Sequence, residues 1–167
     1  MEETKHPPQL TEANKGEGLA VVGDSYRVVI SGKETGGDFA VIDMLVPPGG
    51  GPPPHAHPNF HESFHVLEGE VEVTTEAGTV TAGQGDFINI PKGGIIHCFK
   101  NKTGQRARLW CTVVPAGLDD FFKEIGKPVP FGTFVPPPPM GEEEIKKTQA
   151  IAAKYGQTLY PPDYFNK

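Results

Sequence analysis

Glycine and proline punctuate this chain so densely that long regular elements have little room to form. Its 167 residues include 21 Gly and 18 Pro, about a quarter of the total and near the level at which low-complexity disorder becomes a concern. Their placement argues for order instead. Between residues 19 and 114 the breakers separate short runs of β-branched and aromatic residues, the pattern of strands joined by tight turns. Strands are predicted over 19–22, 25–31, 38–46, 53–57, 61–67, 70–75, 78–81, 86–90, 96–100 and 106–114. Many short strands at close spacing indicate an all-β sandwich or barrel, which limits exposed sheet edges.

After Pro115 the pattern changes. The stretch 117–126 contains LDDFFKEI, with Asp119 and Asp120 suited to a helix N-terminus and Gly126 to its stop. Six prolines in 127–139 predict an extended strap. EEEIKKTQAIAAKYG predicts a second helix with Ile145, Ala152 and Tyr155 on its inner face, held against the β body because a helix this short is marginal alone. The expected organisation is one domain, 1–167, with a loose arm over 1–18, a β-barrel over 19–114, and C-terminal helices with the strap over 115–167.

Charge and terminal composition exclude several functions. Lys and Arg total 15 against 21 Asp and Glu, a net charge of −6 with the signs mixed, so the basic footprint of a nucleic-acid partner is absent. No apolar run approaches the roughly 20 residues of a membrane span. The opening MEETKHPPQL is acidic and polar, unlike an export signal. Cys98 and Cys111 form neither a C-x-x-C pair nor a disulfide framework. A cytoplasmic protein with reduced thiols is expected.

The histidines are unevenly distributed. Four of the six, His55, His57, His61 and His65, fall within eleven residues. On an extended strand His55 and His57 project from one face with Cα atoms roughly 7 Å apart, so both rings can reach one ion. Glu62 follows after a Pro58-Asn59 break, and His97 comes from a later strand behind the apolar pair Ile95 and Ile96. His55, His57, Glu62 and His97 are therefore the candidate metal ligands. Three imidazoles and a carboxylate suit divalent Fe, Mn, Co, Ni, Cu or Zn. On an octahedral ion they would leave two positions for a substrate or dioxygen, as catalysis requires. His61 and His65 have the opposite strand parity to Glu62 and are expected to face away, as Cys98 is relative to His97.

These residues resemble the two motifs of the cupin superfamily. The first, G-x5-H-x-H-x4-E-x6-G, is matched by Gly49, His55, His57, Glu62 and Gly69. The second, G-x5-P-x-G-x2-H-x3-N, is matched by Gly85, Pro91, Gly94, His97 and Asn101 with one extra residue beside the glycine. The resemblance implies a small double-stranded β-helix, a jelly-roll barrel, with the same four residues as metal ligands at one end of its cavity. It also implies a homodimer, since cupins commonly pair their barrels.

Strand parity places Phe64 and Val66 with Glu62, and Phe99 with His97, predicting an apolar substrate pocket; Phe60, Phe87, Asn89 and Trp110 are weaker candidates for its wall. HESFHVLEGEVEV and the tail make the chain look most like single-domain relatives of quercetin dioxygenase. That likeness implies an enzyme: a metal-dependent dioxygenase cleaving a flavonol-like or enolised small molecule with dioxygen, Glu62 serving as ligand and as catalytic proton acceptor. Two other functions fit the same site, a metal-assisted sugar isomerase or epimerase and a non-enzymatic small-molecule-binding module.

Overall fold

The computed structural model describes residues 4–166. Ten strands appear where the breaker pattern predicts them: β1 Glu17–Val21, β2 Asp24–Ile30, β3 Ala40–Val46, β4 His55–Ala56, β5 His61–Glu68, β6 Glu70–Thr75, β7 Gly78–Gly83, β8 Phe87–Ile90, β9 His97–Lys100 and β10 Ala107–Val114. Helix α1 spans Leu118–Ile125, followed by β11 Lys127–Pro128, helix α2 Glu142–Lys154 and β12 Thr158–Leu159. β4 is shorter than expected because Pro52, Pro53 and Pro54, which precede it, carry no N–H to donate to a ladder. β11 and β12 were not predicted; two residues carry no readable alternation.

Every strand pairing is antiparallel. A seven-stranded sheet runs β11-β1-β2-β3-β10-β5-β8, and a five-stranded sheet runs β12-β4-β9-β6-β7. Consecutive strands repeatedly cross from one sheet to the other, which makes the jelly roll expected from the sequence. Alternation decides the core: Ala107, Leu109, Cys111 and Val113 of β10 are buried with Phe64 and Val66 of β5, Ile42 and Met44 of β3, and Val71 and Val73 of the facing sheet.

The outer face of the seven-stranded sheet also holds a buried charge cluster. Asp43 stands opposite Arg27 across the β2–β3 ladder. Its carboxylate accepts bonds from Arg27 Nη2 at 2.7 Å and from Arg108 Nε and Nη2 at 2.9 and 2.8 Å. Arg27 Nη1 additionally donates to the carbonyls of Glu12 and Lys15, drawing the segment before β1 over the sheet.

Helix α1 lays Leu118, Phe121 and Phe122 onto the open end of the barrel, and Phe122 meets Tyr26 edge-on at 4.9 Å. Asp119 is buried at its N-terminus. It accepts from the backbone N–H of Gly32 at 2.9 Å and of Gly117 at 3.1 Å, joining the helix to the loop after β2. In α2 only the last turn docks. Ala152 is fully buried and Ile151 and Tyr155 pack against the core, whereas Ile145, expected on the inner face, is 42% exposed. The periodicity places Ile145 on the correct side of the helix, but the first turn lies beyond the surface it would cover.

Removing the Asp43 carboxylate leaves Arg27 buried without its counter-charge. Asp43→Ala is expected to cost about 3–5 kcal/mol of unfolding free energy, read as a lower midpoint in urea at neutral pH. A loss under about 1 kcal/mol, the size of an exposed pair, would contradict this account.

Candidate metal centre and its cavity

His55 on β4 stands opposite His97 on β9 in the antiparallel register, so two imidazoles rise from neighbouring strands of the five-stranded sheet. His57 follows just past β4, and Glu62 comes from β5 in the facing sheet. All four side chains are buried. One donor atom from each lies within 4.8 Å of the others. Nε2 of His57 is 2.9 Å from Glu62 Oε2 and 3.1 Å from Nε2 of His97; the His97 and His55 Nε2 atoms lie 3.5 and 3.9 Å from the same carboxylate oxygen.

The opposite edge of each ring explains this convergence. Nδ1 of His55 meets the Pro53 carbonyl at 3.0 Å, Nδ1 of His57 the Phe60 carbonyl at 3.3 Å, and Nδ1 of His97 the Ile95 carbonyl at 2.9 Å. A carbonyl only accepts, so each Nδ1 carries a proton, and a ring in its neutral form turns an Nε2 lone pair toward the centre. Three lone pairs and a carboxylate crowd one point, an arrangement relieved by a divalent cation. This donor set fits the transition ions expected from the sequence. The ring of Phe60 stacks on His57 at 4.2 Å and further limits its rotation.

Local backbone geometry supports the ring positions. Gly51, at φ +127°, lies so close to β9 that an added Cβ would sit 2.1 Å from the Phe99 carbonyl oxygen, so only glycine lets the loop before His55 touch the strand of His97. The extra residue of the second motif is absorbed by Gly93 and Gly94, both at positive φ. The Gly93 N–H donates to the Pro58 carbonyl at 3.0 Å, which links the two motif loops.

Burial alone would raise the pKa of Glu62, but hydrogen bonds from His55, His57 and His97, which a ring donates from Nε2 once it is doubly protonated, outweigh it and hold the carboxyl well below its usual range. Burial lowers the pKa of His97 against the opposing pull of Glu62. Cys111 Sγ donates to Glu62 Oε1 at 3.6 Å, and burial with the neighbouring carboxylate pushes its thiol well up, keeping the proton on sulfur. Spacing had not singled out Cys111; its parity on β10 is the only signal.

His61 and His65 are exposed, on the opposite face of β5 from Glu62. Cys98 is half-buried opposite Thr74. Phe87 and Asn89 are exposed on β8, and Trp110 sits on the outer face opposite His65, so none of the three joins the site.

A cavity of about 70 Å³ opens beside His55 and Glu62. Phe99 lines it. Phe64 and Val66 do not: both are buried in the core behind the wall, Phe64 edge-on to Phe99 at 5.3 Å. Parity distinguishes inside from outside, but not packed core from open space. Much of the wall comes from elements that the motif residues do not mark, including Val21, Met44, Leu118, Phe121 and Leu159.

Asp24 also lines the cavity and is 1% exposed. Its carboxylate accepts from the Tyr26 hydroxyl at 3.0 Å and from the Gly51 N–H at 3.3 Å, and it makes no ion pair among the described residues. Burial, the largest influence, raises its pKa to about 7 despite those two bonds and the more distant Lys100.

Comparison with known proteins agrees with this architecture. Residues 42–114 match the Cupin domain family. The chain is 26% identical over 121 residues to quercetin 2,3-dioxygenase of Bacillus subtilis (strain 168), covering 72% of this chain and 35% of that protein. It is 29% identical over 151 residues to the rhicadhesin receptor of Pisum sativum, covering 87% of this chain and 65% of that one. It thus spans less than two thirds of the length of either relative. Among solved structures, a predicted oxalate decarboxylase from Thermotoga maritima superimposes with a TM-score of 0.60 at 15% identity, over 64% of this chain and 99% of the other, a likeness of fold.

Because the folded pKa of Asp24, about 7, lies above that of an ordinary aspartate, its contribution to stability is full below about pH 4 and is lost as pH rises through about 7, a change on the order of 4 kcal/mol. Asp24→Asn abolishes this titration. The melting temperature of the variant minus that of the parent is expected to increase from pH 5 to pH 8; a constant difference would show that Asp24 titrates as an ordinary carboxylate.

Proposed function

Since the chain belongs to the cupin superfamily, we propose that it is a metal-dependent dioxygenase that uses dioxygen to cleave an enolised, largely apolar small molecule. One observation carries this reading: His55 and Glu62 share a single cavity with the apolar side chains of β1, β3, β9 and α1. A ligand there can present oxygens to the donor cluster and carbon skeleton to the wall.

The size of the cavity narrows the substrate class. About 70 Å³ is well below the ~300–1,000 Å³ of typical ligand pockets. A compact enolised compound of the 1,3-dione type therefore suits it better than a flavonol, which would need α1 and the C-terminal tail to move outward. The quercetin 2,3-dioxygenase relative supports the reaction class. A sugar isomerase would need polar walls for several hydroxyl groups, and this wall is mainly aliphatic and aromatic.

His55, His57, Glu62 and His97 would hold the metal, which when bound supplies a Lewis acid that stabilises enolate charge. The chain's own groups supply the rest. Glu62, kept ionised by its neighbours, accepts the enol proton, and its low basicity suits it to an already acidic group. Apolar walls exclude water from the reacting carbanion. Across the reaction one carbon–carbon bond breaks, the two atoms of dioxygen enter the two carbonyl-containing fragments, and the substrate supplies all the electrons. A homodimer belongs to the same reading, supported by Phe87, 66% exposed on the edge strand β8. The cytoplasmic location remains part of the proposal as well; among the described residues no helix is long and apolar enough to cross a membrane.

Protein loaded separately with Fe, Mn, Co, Ni, Cu or Zn should consume one dioxygen per pentane-2,4-dione or quercetin with at least one redox-active ion, measured with an oxygen electrode. No uptake with any metal and either compound would overturn the proposal. His55→Ala, His57→Ala and His97→Ala should each weaken metal binding by more than the ~10–100-fold that losing a supporting hydrogen-bond partner costs, measured as metal content after dialysis. Glu62→Gln should retain more metal than these variants while losing turnover.

A further inference from the structure

The cavity contains a polar group that the donor cluster does not use. Gln157 is 4% exposed and lines the same cavity as His55 and Glu62. Its side-chain Nε2 is buried without a hydrogen-bond partner, one of only two such atoms among the described residues. A buried amide donor left unpaired carries its full desolvation penalty, on the order of a lost hydrogen bond.

The backbone around this residue is held in place. Gln157 N–H donates to the Ala152 carbonyl at 2.9 Å, and the preceding Gly156, at φ +76°, turns the chain out of α2. Immediately after it, β12 pairs with β4, with Leu159 opposite His55. The residue is therefore clamped between a helix end and the strand that carries a donor histidine. Its side chain borders an otherwise largely apolar space.

We infer that Gln157 is a specificity residue, whose amide donates to a hydrogen-bond-accepting oxygen on the substrate, separate from the oxygens that meet the donor cluster. This rests on the proposed function and deepens it. The substrate class becomes an enolised, mostly apolar compound with a third oxygen, a carbonyl or an equivalent acceptor, remote from the chelating pair. A site built to donate one hydrogen bond rejects the analogue that lacks the acceptor, because the buried donor then stays unpaired.

The test uses full-length protein loaded with zinc, which has no redox chemistry and so allows binding without turnover. Calorimetric affinities are compared for pentane-2,4-dione and heptane-2,4,6-trione, which differ by an added acetyl unit carrying the third oxygen. The trione is expected to bind about tenfold more tightly to the parent. In Gln157→Met, a side chain of similar length without polar hydrogens, that preference should vanish while the dione affinity stays the same. Without any ligand, Gln157→Met should melt at or above the parent temperature, since the unpaired donor is gone; this also verifies folding. Equal affinities for the two probes in the parent, or a preference that survives in Gln157→Met, would overturn the role of Gln157 while leaving the dioxygenase reading intact. Failure of both probes to bind the zinc-loaded parent would overturn both.

Discussion

A neutral imidazole has a single ring proton, and in His55, His57 and His97 a backbone carbonyl takes it at Nδ1. Everything at the candidate centre depends on that constraint. With the proton held on the outer edge, each ring can offer the interior only a lone pair. The carbonyls belong to residues two or three positions away in sequence, so orientation is set locally by the turns at Pro53, Phe60 and Ile95. Position is set globally, because the histidines come from the side of the five-stranded sheet while Glu62 comes from the seven-stranded one. The centre exists only when the roll is closed and the sheets face each other.

Two buried carboxyls in one cavity are perturbed in opposite directions. Glu62 is surrounded by imidazoles and stays ionised, whereas Asp24 receives only a tyrosine hydroxyl and one backbone N–H and is half protonated near neutral pH. The imidazoles outweigh desolvation at the first, whereas two hydrogen bonds fail to outweigh it at the second. Environments that push like groups apart are the usual means by which one site keeps both an ionised and a protonatable carboxyl.

The C-terminal segment is part of the site as well as its cover. α1 supplies much of the apolar wall, and α2 is anchored by its last turn, where Ala152 and Tyr155 meet the body. From there the chain enters β12 and pairs with β4. The tail thus borders the cavity with Gln157 and Leu159 and adds a ladder to the two-residue strand that carries His55.

Legibility differed by length scale. The ten predicted strands were readable because their alternation spans several residues between breakers, and the four donors because three are closely spaced from His55 to Glu62 while an apolar lead-in and the second motif mark His97. Ile145 was misplaced because a helical period states which side faces inward, not how far the supporting surface extends. Phe64 and Val66 were read as pocket because parity cannot separate filled interior from open interior. Asp24 and Gln157 carried no motif; what distinguishes them is burial without sufficient partners, which appears only when distant segments meet. The sequence by itself determined where ten strands lie along the chain, the identity of the candidate ligands and the apolar character of the interior, since each follows from short-range periodicity and donor chemistry. Only the tertiary structure decided where the interior stays open, which polar groups border it, and how large a guest it suits, because those depend on α1 and the C-terminal tail packing against strands far earlier in the chain.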